Sequence, residues 1–119
     1  MIIIVNYSHP LTEEVLAEIS RIEQEDVSQV VVPCQLDMTP GADLLSQVRS
    51  LEEFWHRVQS DNPQDTLYLV PPAMSYAAAI LTAHLSYAIS DAMAPIHPTI
   101  VWTAKVGMPP RFVLGGIIK

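Results

Sequence analysis

Asn6-Tyr7-Ser8-His9-Pro10 follows directly on an apolar run and sets an amide, a phenol, a hydroxyl and an imidazole in consecutive positions. Such a set can hold a ligand phosphate or base, helped by the N-terminus of a following helix. The same residue types also serve as a turn and a helix cap, with no ligand at all. The segment has no glycine, so it is not a glycine-rich phosphate loop. His9 fits either a general acid or base, since imidazole titrates near neutrality, or a side chain that only hydrogen-bonds.

Pro71-Pro72-Ala73-Met74-Ser75 is the second segment of this kind. It reads as a rigid corner into a helix with Ser75 near the cap, or as exposed helix N–H groups facing an anion. Lys105 and Arg111 stand in an acid-free stretch, either as solvated charges or as contacts for an anion. His56 reads as surface or packing, His84 as structural or at an interface, and His97, between prolines, as exposed. These histidines share no metal-ligand spacing with each other or with Cys34, so no zinc site is expected. Cys34 has no base beside it in sequence and reads as an inert buried thiol. No catalytic constellation stands on its own and no cofactor motif is present.

The elements that must position these residues follow from periodicity and breakers. Ile2 to Val5 is a continuous β-branched run, as expected of a strand covered on both faces. Leu11 to Gln24 reads as a helix, with Leu11, Val15, Ile19 and Ile22 on one side and Thr12 as cap. Val27 to Val32 is a second strand, at an edge, ended by Pro33. Ala42 to Gln59 is a second helix, stopped by Asp61-Asn62-Pro63. Thr66 to Val70 is a third strand, Met74 to Ser90 an alanine-rich third helix, and 91–98 a loop with two prolines. Thr99 to Val106 and Arg111 to Ile118 are the last strands, antiparallel across Gly107-Met108-Pro109-Pro110.

Strands alternating with helices imply right-handed crossovers and a mostly parallel sheet in one α/β, Rossmann-like domain over residues 1–119. Helices cover both faces, and the expected strand order is 2-1-3-4-5. That order puts the topological switch between the first and third strands, where ligands of such sheets bind. The candidate ligand-binding residues there are Asn6, Tyr7, Ser8, His9, Pro72, Ala73 and Ser75, joined by Lys105 and Arg111.

The chain has 119 residues and a formal net charge of −7. All 13 acids lie within the first 91 residues, and residues 92–119 carry three bases and no acid. The overall sign argues against DNA or long RNA, while the C-terminal segment can attract a small anion. With half of its residues hydrophobic the chain can bury a core, and a single cysteine fits a reducing, cytoplasmic compartment. Met1 to Val5 lacks a basic leader, and the apolar run from Ala73 to Ile89 is too short and polar for a membrane span.

Three segments together resemble a known family. They are Asn6-Tyr7-Ser8-His9-Pro10-Leu11-Thr12, then Val70-Pro71-Pro72-Ala73, then Pro109-Pro110-Arg111-Phe112 before a strand ending Ile117-Ile118. The family is a group of small ancillary proteins of type III CRISPR loci, the fifteenth in the Csx series. The resemblance implies a CARF-related fold, a homodimer and a cyclic oligoadenylate ligand, above all cyclic tetra-adenylate. Where relatives often carry Arg near the end of strand four, this chain has Trp102-Thr103-Ala104-Lys105.

A two-fold dimer would present the same loop twice to a four-fold ring. The leading expectation is a sponge that sequesters the messenger and damps antiviral signalling. The second is a metal-independent ring nuclease with His9 as its catalytic acid or base. The third is a dimerisation module with no small ligand.

Overall fold

The computed structural model describes residues 1–89 and 97–119. The expected loop at 91–98 lies mainly outside them. The chain runs β1 (Ile2–Asn6), α1 (Glu13–Glu23), β2 (Val27–Val31), α2 (Leu44–Asp61), β3 (Thr66–Val70), α3 (Ser75–Ile89), β4 (Thr99–Val106) and β5 (Arg111–Ile118). The five strands form one sheet in the order β2-β1-β3-β4-β5, parallel except for the antiparallel β4–β5 pair. This is the α/β architecture and strand order that alternation and breakers imply.

β1 is buried along its whole length, which is why its sequence is an unbroken β-branched run. Alternate side chains feed opposite cores. Ile2 and Ile4 join Leu11, Val15, Ile19, Tyr68 and Val101 beneath α1. Ile3 and Val5 join Val48, Leu51, Trp55, Leu69, Leu81 and Leu85 beneath α2 and α3. Each fully buried aliphatic side chain contributes roughly 1.5–3 kcal/mol through removal from water.

Helix ends follow the local chemistry. Thr12 caps α1, its hydroxyl accepting from the Val15 N–H, and Asp43 caps α2 by accepting from the Ser46 N–H. Ile22, expected on the apolar side of α1, is exposed, as is Leu45. Both lie in terminal turns, Ile22 at the end of α1 and Leu45 at the start of α2.

β4 and β5 outrun the rest of the sheet. β4 pairs with β3 only through Tyr68↔Thr99 and Leu69↔Ile100. Continuing that register, Trp102 to Val106 lie past the end of β3. At about 3.3 Å per residue, that is a projection of roughly 16 Å beyond the sheet's carboxyl edge. Trp102 lies flat over Gly115 and Gly116, where an added Cβ would come within 2.3 Å and 2.8 Å of the indole. The bulge between Trp102 and Thr103 falls at this point, with Gly115 as the extra residue.

Candidate functional site

β1 and β3 end side by side, Asn6 being paired with Val70. The chain leaves them in opposite directions, toward α1 and toward α3. Their exit loops therefore meet at the topological switch, as the strand order requires.

The Ser8–Leu11 loop is held by a polar network that starts in β1. Asn6 is fully buried, and its amide nitrogen donates to the His9 carbonyl (2.9 Å) and to Gln29 Oε1 (3.1 Å). Its Oδ1 accepts from the Ser8 N–H at 2.9 Å. Gln29 completes the arrangement from β2, 18 residues beyond Leu11. Its Oε1 accepts from the Leu11 N–H (3.0 Å), and its Nε2 donates to the Leu11 carbonyl (2.9 Å). The Gln29 amide thus pairs with a loop residue as a neighbouring strand would. Asn6 reaches a ligand only through the loop it holds. Gln29 was not legible as a site residue. Its one signal is a polar side chain alternating with Val27 and Val31, on the face that packs against α1.

Tyr7 is also committed to the fold. It is buried, its hydroxyl donates to the Leu51 carbonyl at 2.7 Å, and burial pushes its pKa above the ordinary phenol value. Ser8 and His9 differ. Ser8 is half-buried, His9 is exposed, and neither side chain hydrogen-bonds to a described residue.

Two cavities flank the Ser8–His9 ridge, and both residues line each of them. The larger, about 280 Å³, opens toward α3 and the end of β2, with Tyr7, Cys34, Pro72, Ala73 and Met74 in its wall. The smaller, about 100 Å³, lies between the start of α1 and the β4–β5 hairpin. Neither lining contains an acidic residue, although the chain carries 13. Cys34 is half-buried, and burial raises its thiol pKa, which leaves it protonated and unreactive at neutral pH.

The larger cavity thus brings together Tyr7, Ser8, His9, Pro72 and Ala73. Ser75 is exposed at the first position of α3 and lies outside both cavity walls. Lys105 and Arg111 are both exposed on the projecting hairpin, and neither lines a cavity. The ladder pairs Lys105 with Phe112 and Val106 with Arg111. Since neighbouring positions point to opposite faces, the two cations stand on opposite sides of the hairpin. Lys105 shares a face with Thr103 and Phe112, which line the smaller cavity. Arg111 points away from it.

The remaining histidines lie apart from the ridge. Glu52 of α2 is held between His84 of α3, at 2.9 Å, and His56, one turn along α2, at 3.4 Å. Burial opposes ionisation of Glu52, but hydrogen bonds from His84 and then His56 outweigh it and hold the carboxyl below its usual range. His97 is half-buried rather than exposed, with Nδ1 2.7 Å from the Pro98 carbonyl. Among the described residues, no three His, Cys, Asp or Glu side chains converge as a metal site. No described helix is long and apolar enough to cross a membrane.

In comparisons with known proteins, the chain matches no family model, no curated protein and no solved structure.

Proposed function

We propose that this chain binds a cyclic oligoadenylate, most specifically cyclic tetra-adenylate, and sequesters it across a two-fold dimer. The observation that carries the reading is the uncommitted Ser8–His9 ridge, which stands at the topological switch between two acid-free cavities. Nucleotides favour this position in open α/β sheets. The resemblance of the Asn6–Thr12 segment to the type III CRISPR ancillary family supplies the identity of the nucleotide. Lys105 would meet a phosphate, the ridge would supply donors and acceptors to the nucleotide, and a second copy would double them around the ring.

Binding is favoured over cleavage by the setting of His9. A catalytic imidazole is normally oriented by a second hydrogen-bonded group. The His9 ring is hydrogen-bonded to no described residue. Titration calorimetry with cyclic tetra-adenylate, followed by mass analysis of the complex, tests the proposal. The expected result is one intact ring per two chains. No binding at micromolar protein would overturn it. Linear products that disappear in His9→Ala would replace sequestration by the ring-nuclease reading.

A further inference from the structure

The smaller cavity has a make-up that folding alone does not demand. One wall is Pro10, Leu11 and Val15, the next is Val70, and the far wall is Phe112 on the hairpin. Phe112 is 54 % exposed, a large aromatic face left open beside these apolar neighbours. Polar groups occur as Ser8, His9, Thr12 and Thr103. The Thr12 oxygen is engaged in capping α1. The side chains of Ser8, His9 and Thr103 make no hydrogen bond to a described residue, and each can both donate and accept.

Ligand chemistries can be ranked against this lining. An aliphatic chain would use the apolar walls and leave three polar groups without partners. A sugar would satisfy the polar groups and waste the Phe112 face. A bare phosphate or carboxylate finds no cation in the lining. A planar heteroaromatic ring uses every part, with its face on Phe112 and its donor and acceptor edge on the hydroxyls and the imidazole. Lys105 lies on the same strand face as Thr103, two residues farther out, or roughly 7 Å. An anionic group attached to the ring would lie toward it.

We infer that the slot between α1 and the β4–β5 hairpin seats the base of a nucleotide, stacked on Phe112 and read by Thr103. That the base is adenine rests on the function proposed above; the stacking slot itself does not. Thr103 and Phe112 then become specificity residues outside the candidate ligand-binding set read from the sequence.

The test uses the whole chain and two probes, adenosine and cyclic tetra-adenylate, followed by NMR shifts and calorimetry. Adenosine is expected to shift the resonances of Val15, Thr103 and Phe112. Phe112→Ala should weaken cyclic tetra-adenylate binding by about tenfold, the scale of one lost base–aromatic stack. Thr103→Phe, which fills the slot, should weaken it further. Phe112 is exposed, so its variant folds even where Thr103→Phe does not. The inference is overturned if adenosine moves no slot resonance, or if folded Phe112→Ala binds the ring as tightly as the parent. Adenosine seated in the slot with no binding of cyclic tetra-adenylate would uphold the slot and defeat the messenger reading. Tight ring binding that leaves the slot resonances unmoved would do the reverse.

Discussion

β1 and the β4–β5 hairpin are both rich in apolar residues, yet the molecule uses them in opposite ways. β1 is covered on both faces, and the one polar side chain at its end, Asn6, has its amide hydrogen-bonded internally. The hairpin runs past the sheet and leaves Trp102, Val106, Met108 and Phe112 exposed. The smaller cavity of the candidate site lies between the loop that follows β1 and the hairpin, and takes a wall from each. One wall is fixed by close packing and a closed hydrogen-bond network. The other is paired with β3 at its base and stands clear of the sheet at its tip.

The contrast breaks first at the level of stability. Ile4→Ala removes a fully buried side chain from the centre of the sheet. It should cost about 2–5 kcal/mol, read as a lower midpoint in denaturant unfolding. Asn6→Ala should cost roughly 1–3 kcal/mol, because the Ser8 N–H and the His9 carbonyl lose their partner. Faster amide exchange at Ser8 would distinguish this loosened loop from a general loss of packing.

A smaller effect is expected at the α2–α3 contact. The Glu52 carboxyl is held below the ordinary glutamate value of 4.5, so its contribution to stability is full above that pH. It is lost as pH falls through the lower folded-state value. Glu52→Gln should therefore be less stable than the parent at pH 7, by about 1 kcal/mol or less, and equal to it once the pH is well below the lowered folded-state value. Unfolding curves at both pH values check the sign. Smallest of all, Met108→Ser and Phe112→Ala should each change stability by less than about 0.5 kcal/mol. A large loss from either would erase the distinction between the hairpin and the sheet.

The sequence was most informative where a breaker follows a pattern. β3, β4 and β5 have the bounds that Pro71-Pro72 and Gly107-Met108-Pro109-Pro110 suggest. Thr12 was legible as a cap because its residue type and place before Glu13 and Glu14 leave little else for it to do. Ile22 misled, because periodicity records which side of a helix is apolar and not how far the core reaches along it. In the site, Ser8 and His9 could be picked out by position alone, whereas the partners that hold their loop could not. Gln29 meets Leu11 from 18 residues away, across α1 and the turn that follows it.

By itself the sequence determined the element order, the central place of β1 and the meeting of two loops at the switch. Those follow from local propensity, burial on two faces and the handedness of crossovers, all of which are written in short stretches of chain. Only the tertiary structure decided which polar groups remain available there. Asn6 and Tyr7 are consumed by partners distant in sequence, and Lys105 and Arg111 are separated by the register of the hairpin. A residue's type fixes what it can bond. Which bonds it has left for a ligand depends on neighbours that folding brings to it.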